Sequence, residues 1–437
     1  MSAAGVSAAG HGTPASVVGL LAQLASVGVD PRRGGYTRAG FSREERTLHE
    51  WFVQEATARG LDVERDRNGV LWAWWDVPGG SRSNAVATGS HLDSVPGGGQ
   101  YDGPLGVASA LAAVDWLRVR GLRPARPLAI VVFPEEEGSR FGVACLGSRL
   151  LTGRLDPATA AGLRDASGVT LAEALAESGL DARHLGRDQA ALERIGCFVE
   201  LHVEQGRGLI DRGAAVGLGS SVLGHGRWKL RFSGQGNHAG TTLMDDRRDP
   251  LVAAAGAVLA VRDAARAVPE ARATVGRLQP LPGGTNVIAS AVELWIDARH
   301  PDDEVTAALL ESIHADAAAA AEAEGCSVEL TAESVSPTVD FDHALTTRLG
   351  EALEGTTSGG LPDGGPALPA ARGGVPVLAT GAGHDAGVLA AEIPTAMLFV
   401  RNPTGISHSP EEYAADEDTE TGALALADAL QELLLAP

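Results

Sequence analysis

Hydrophobic and polar positions change period several times along the chain, and each change marks an element. Residues 42–60 carry Leu48, Trp51, Phe52 and Ala56 at helical spacing. Ser42 and Glu45 stand at capping-box distance, so a helix is expected there. Residues 85–88 read as a short strand, followed by the glycine-rich loop GSHLDSVPGGGQYDG. Residues 104–120 read as a helix with Leu105, Ala108, Leu111, Ala112 and Trp116 on its apolar side. Leu128–Phe133 (LAIVVF) and Thr395–Val400 (TAMLFV) are unbroken apolar runs. Such runs mark strands buried on both faces of a largely parallel sheet with helices on either side.

The pattern shifts at about Gly217. A strand is predicted at 227–232 and a helix at 249–267, opened by Asp249-Pro250. Strands follow at 273–278 and 286–299, the second with a bend. Pro301 and Asp302 open a helix that reaches Gly325, and a strand at 327–332 closes the set. The order β-α-β-β-α-β is that of a ferredoxin-like unit. The expected architecture is therefore α/β: a large domain at 1–216 and 338–437 with a mostly parallel central sheet, interrupted by a small ferredoxin-like domain at 217–337. Residues 1–14 read as a loose tail and 354–374 as loop or short turns.

Composition narrows the function. The 437 residues carry 35 Lys and Arg against 56 Asp and Glu, a net charge of −21, and Lys229 is the only lysine. Nucleic acid as a partner is excluded because phosphate binding needs clustered cations, and an anionic membrane surface is disfavoured for the same reason. A P-loop lacks its Gly-Lys-Ser/Thr. Cys145, Cys197 and Cys326 are scattered and odd in number, which rules out a disulfide framework and a Cys-based zinc site and fits a reducing compartment. MSAAGVSAAGHGTPAS has no secretory pattern, and no apolar run approaches the ~18 residues of a spanning helix. A cytoplasmic location is expected.

Metal-type side chains stand beside predicted strand ends at His91-Leu-Asp93, Asp102, Glu135-Glu136-Glu137 and His408, and His202 lies on a strand itself. Ligands of open α/β sheets bind at the carboxyl ends of the strands, so these residues can converge. Taken singly, each has an ordinary structural reading as a core histidine, a solvated charge run or an Asp-Gly turn. Together, histidines mixed with carboxylates suit zinc or manganese, and a bridging carboxylate can hold two metals about 3.5–4 Å apart.

HLDSVPGGGQYDG, PEEEGSRF, ELHVEQG, GQGNHAGTTLMDDRRDP, GGTNVIAS with WIDARHP, GAGHDAG and GISHSPEEY occur in this order. Together they resemble the di-metal amidohydrolases of ureido compounds: allantoate amidohydrolase, N-carbamoyl-L-amino-acid hydrolase and beta-ureidopropionase, a branch of the aminoacylase–carboxypeptidase superfamily. The resemblance runs from about Arg43 to Leu426. It implies two divalent ions, zinc or manganese, per subunit. His91, Asp102 and His202 would hold one, and Asp102, Glu137 and His408 the other, with Asp102 bridging. Glu136 would be the general base, and Asp93 would orient His91. Gln205, Asn286 and Arg299 would bind a small ureido substrate bearing a carboxylate. His238 would stabilise the oxyanion. The inserted domain would act as lid and dimerisation domain, giving a homodimer with shared active sites in which His238 reaches the partner's metals.

Some residues stay outside that scheme. Glu135 reads as a solvated side chain. His384 and Asp385 lie near the family's site without an assigned role. Arg247 and Arg248 read as ion-pair partners of Asp245, Asp246 and Asp249, and His225 as structural. Arg401-Asn402-Pro403 stands where several relatives carry Pro-Ser, a departure that favours allantoate over a carbamoyl amino acid. The alternative activity is that of an N-acyl-amino-acid deacylase or dipeptidase, against which HVEQG with a histidine ligand speaks. A binding homologue that has lost catalysis is disfavoured because every expected ligand and Glu136 are present. No GxSxG elbow supports a serine hydrolase.

Overall fold

The computed structural model describes residues 14–358 and 374–435. The chain forms two compact units, Met1–Ser221 with Asp340–Pro437, and Val222–Val339. In the first, a mixed α/β sheet has nine strands among the described residues. Its centre is four adjacent parallel strands in the order Leu128–Phe133, Ala85–His91, Ile195–Val203 and Thr395–Val400. The flanks are antiparallel. Leu71–Trp75 pairs with Leu128–Phe133 on one side, and Val216–Val222 pairs with Thr395–Val400 on the other. The parallel order thus belongs to the centre of the sheet and not to its edges. Because Val216 and Leu218 pair with Val400 and Leu398, the chain stays with this sheet past the change of pattern at Gly217.

The two apolar runs form strands with the expected bounds, buried at every residue. Between the first two parallel strands, the helix Pro104–Val119 covers the sheet. Its residues from Pro104 to Val114 are all buried, so its apolar surface is wider than the expected stripe, and Trp116 is only half-buried. Helix Asp416–Leu435 packs over it. The close fit is made at Gly106, where a Cβ would stand 2.3 Å from the carbonyl oxygen of Leu201. A helix Val17–Leu24, unmarked by any pattern noted in the sequence, adds Val17, Leu20 and Leu24 to the same core.

The second unit is a four-stranded antiparallel sheet in the order Ser327–Ser336, Gly224–Ser233, Ala291–His300 and Arg272–Leu281. Helices Pro250–Ala267 and Asp303–Ala323 pack on it through Ala257, Val261, Leu309 and Ile313. The bend expected within 286–299 is a break into two strands, Val287–Ile288 and Ala291–His300. The described part of 354–374 is helical as far as Ser358, the end of helix His343–Ser358. Residues 359–373 of that stretch, and the expected tail up to residue 13, lie outside the described residues. Among the described residues, no helix is long and apolar enough to cross a membrane.

Gly106→Ala should lower the thermal unfolding midpoint, because overpacking of this kind costs about 1–3 kcal/mol. Gly162→Ala, on an exposed helix position with nothing within 4 Å of its Cβ, is the control and should leave the midpoint unchanged or slightly raised.

Candidate metal centre

The four central strands deliver the site at one edge of the sheet. His91 ends the strand Ala85–His91, Glu135 to Glu137 follow Leu128–Phe133, His202 is the penultimate residue of Ile195–Val203, and His408 lies beyond Thr395–Val400. Parallel neighbours bring their carboxyl ends together, and the loops leaving them carry the polar residues.

Asp102 stands where these residues meet. Its Oδ1 lies 3.5 Å from His91 Nε2 and 3.2 Å from His202 Nε2. Its Oδ2 lies 3.5 Å from His408 Nε2, which is 3.4 Å from Glu137 Oε2. Two candidate ligand groups result, His91–Asp102–His202 and Asp102–Glu137–His408, each with donor atoms within 4.8 Å of one another. Two ligands each about 2.0–2.1 Å from one tetrahedral ion stand roughly 3.3 Å apart, close to these spacings. The turn after Asp102 needs glycine: Gly103 has φ +85°, and a Cβ there would meet the His91 ring at 2.5 Å.

Hydrogen bonds fix which nitrogen each ring offers. His91 Nδ1 faces the Asp93 carbonyl at 3.1 Å, and His202 Nδ1 faces the Val203 carbonyl at 2.9 Å. A carbonyl only accepts, so both Nδ1 atoms carry hydrogen, and in the neutral rings the Nε2 lone pairs point to Asp102. Both Nε2 atoms and Glu137 Oε1 are buried without a hydrogen-bond partner. Charge tells the same story. Burial, with the charges of Asp102 and Glu136, pushes Glu137 well above the usual carboxylate range, and burial brings Glu136 to about 7. Burial opposes a charge on His202, yet Asp102 and Glu200 outweigh it and carry the ring up to about 9; the same negative surroundings that draw a proton to Nε2 would draw a cation there. The cluster is short of positive charge. Orphaned lone pairs and excess buried negative charge fit divalent cations.

Asp93 holds two parts of the centre. Its Oδ1 is 3.4 Å from His91 Nδ1 and accepts the Glu136 N–H at 3.0 Å, while Oδ2 accepts the Glu137 N–H at 3.1 Å. Glu135 is not solvated: it is 0% exposed. Its Oε1 accepts the N–H groups of Arg140 and Phe141 at 2.9 and 2.7 Å, closing the turn that follows. The capping box at Ser42 is half made. Ser42 accepts the Glu45 N–H at 3.2 Å, but the Glu45 carboxylate turns to the N–H groups of Phe41 and Glu135.

Gln205 sits against the candidate ligands, its Nε2 2.8 Å from Asp102 Oδ2 and 3.0 Å from Ser407 Oγ, with a buried Oε1 left unpartnered. Glu412 had no assigned role, yet its Oε1 accepts the N–H groups of Tyr101 and Asp102, both at 3.1 Å. Its sequence signal was its place in GISHSPEEY. His384 packs against His202 with ring centroids 4.5 Å apart and forms a third donor group with Glu200 and His202. Glu200 is engaged by Ser90 Oγ at 2.7 Å and the Ala386 N–H at 3.0 Å. Asp385 accepts from Ser148 Oγ. Asn402 faces its own loop: its Oδ1 accepts from Thr404 and Gly405 and its Nδ2 donates to the Ile406 carbonyl, two residues before His408.

In the second unit, His238 and Asn286 come together, since His238 pairs with Val287 and the Ala239 N–H bonds the Asn286 carbonyl at 3.0 Å. Both side chains are exposed. His238 Nδ1 accepts the Gly240 N–H at 3.0 Å, so the ring proton sits on Nε2 as a free donor. Arg299 forks onto Asp297 at 2.8 and 3.0 Å. Arg247 binds the carbonyls of Ala239 and Thr242 and not the neighbouring aspartates, because its fork closes the loop that carries His238. His225 faces the Leu223 carbonyl at 3.2 Å.

An α/β sheet whose strand ends gather histidines and carboxylates around one aspartate offers a site that could hold divalent metal. The chain belongs to peptidase family M20/M25/M40, whose model matches residues 87–432. It is 36% identical over 406 residues to the N-carbamoyl-L-amino acid amidohydrolase of Geobacillus stearothermophilus, covering 92% of this chain and 94% of that one. It is 34% identical over 409 residues to the allantoate amidohydrolase of Bacillus subtilis, covering 92% and 93%. The crystal structure of an amidase of the hydantoinase/carbamoylase family from Burkholderia multivorans matches with a TM-score of 0.82 and 30% identity, over 96% of this chain and 98% of that one.

Glu412→Ala should lower both the metal content and the unfolding midpoint. It leaves two buried N–H groups without an acceptor, each costing about 1–3 kcal/mol, and frees the backbone that aims Asp102. Metal analysis beside a thermal scan checks this; unchanged metal content would separate Glu412 from the centre.

Proposed function

We propose that the protein is an amidohydrolase that cleaves the ureido C–N bond of a small carboxylate-bearing substrate, allantoate or an N-carbamoyl-L-amino acid, releasing ammonia and carbon dioxide. The observation that carries the chemistry is the single carboxylate of Asp102 set between two donor groups. The substrate class is supported by the names of the relatives, which match over nearly the whole chain. In this reading His91, Asp102 and His202 hold one divalent ion, zinc or manganese, and Asp102, Glu137 and His408 a second. Such ions supply polarisation of the scissile carbonyl and acidification of the attacking water.

Glu136 belongs to neither group. Its Oε2 lies 3.7 Å from His91 Nε2, beside the ligands, with a carboxylate poised near neutrality. That suits a base that takes the water's proton and returns it to the leaving nitrogen. Gln205 Oε1 is an acceptor for a ureido N–H. Arg299 and Asn286 are assigned to the substrate carboxylate, which Arg299 would take in exchange for Asp297. His238, with its Nε2–H free, is assigned to the oxyanion of the tetrahedral intermediate.

The subunits are proposed to dimerise through the second unit and share sites. Leu243 and Met244, a few residues after His238, are 73% and 74% exposed, and Leu251, Val252 and Leu259 of the next helix are exposed as well. A partner covering this surface would sit beside the loop of His238.

Protein stripped by a chelator should be inactive. Reloaded with zinc or manganese, it should release ammonia from allantoate or a carbamoyl amino acid faster than it cleaves N-acetyl amino acids or dipeptides. Cleavage of the latter without ammonia from any ureido compound would move the activity to the deacylase or dipeptidase class. Sharing is tested by co-expressing Glu136→Gln with His238→Ala. Each homodimer should be nearly inactive, while the purified heterodimer should regain activity through one complete site. Heterodimers as inactive as both parents would confine His238 to its own chain or remove it from catalysis.

A further inference from the structure

Cys145 is buried, has φ +53°, and stands at the start of the helix Leu146–Thr152. That helix start is fastened to the glutamate triplet. The N–H groups of Cys145, Leu146 and Gly147 donate to the carbonyls of Glu136, Glu135 and Pro134 at 2.5, 3.1 and 3.2 Å. The Cys145 side chain continues the grip, with its Sγ 3.2 Å from Glu136 Oε1. The other oxygen of Glu136, Oε2, is the one that faces His91. One carboxylate oxygen is therefore tied to a thiol behind the site while the other looks into it.

We propose that Cys145 is a positioning residue for hydrolysis: its S–H donates to Glu136 Oε1 and so keeps Oε2 turned toward the reacting water. The proposal rests on Glu136 being the general base. The thiol is suited to the task. Burial, with the charges of Glu136 and Asp385 nearby, holds it far above the usual thiol range, so it stays a donor. A carboxylate without this anchor turns about its last side-chain bonds and spends less time aligned, which lowers turnover without touching the metal ligands or the substrate contacts.

The test compares Cys145→Ala, Cys145→Ser, Glu136→Gln and the double variant Cys145→Ala/Glu136→Gln. Ammonia release is followed for kcat and KM, with metal content measured in each. Cys145→Ala should lower kcat about tenfold, as expected for a lost hydrogen bond to a charged group, with KM and metal content unchanged. Cys145→Ser, which restores a donor, should recover most of the loss. In the Glu136→Gln background the alanine change should add little, since the two residues act as a unit. Parent-like kcat in Cys145→Ala, or serine no better than alanine, overturns the positioning role alone. Full activity in Glu136→Gln overturns the base assignment and the proposal with it.

Discussion

Asp102 is the residue on which the rest of the centre depends. One carboxylate faces His91 and His202 with one oxygen and His408 with the other. Gln205 donates to it, and Glu412 accepts its backbone N–H. It is therefore aimed by segments far apart in sequence. Burying so much carboxylate is costly without compensating positive charge. Carbonyls hold the Nδ1 atoms of His91 and His202, so each Nε2 turns to this carboxylate, where a bound cation would supply that charge.

The proposed mechanism asks two adjacent glutamates to do different work. Glu137 turns toward His408 and Glu136 toward His91. Asp93 secures both backbone N–H groups, the start of the next helix secures the carbonyl side, and buried Glu135 closes the following turn. Hydrogen bonds thus fasten this loop on both sides of its backbone. Such rigidity suits a base that must meet a water molecule at one distance and one angle.

Much of this was legible in the sequence for physical reasons. A strand buried on both faces leaves no polar residue inside it, so Leu128–Phe133 and Thr395–Val400 stood out with their bounds. The residues that the fold brings together were visible because histidine and carboxylate beside apolar runs are chemically conspicuous, and the ordered motifs suggested roles for them. What escaped notice were acids whose partners are backbone N–H groups. Glu135 looked like part of a solvated run, Glu45 like half of a capping box, and Glu412 stood in its motif without a role. Backbone donors leave no mark in sequence, and Glu412 lies 310 positions from the residue it aims. Cys145 was hidden in the same way, because its relation to Glu136 exists only once the helix start folds back on the triplet.

The central claim is that one aspartate serves two metal positions, and metal stoichiometry tests it most directly. Apo-protein titrated with zinc, with bound ions counted by native mass spectrometry, should take up two per chain. His408→Ala should take up one, because the His91–Asp102–His202 group is intact. Folded Asp102→Ala, verified by circular dichroism, should retain neither at the same free zinc. Two tightly held ions in Asp102→Ala, or no difference between His408→Ala and the parent, would contradict a shared carboxylate.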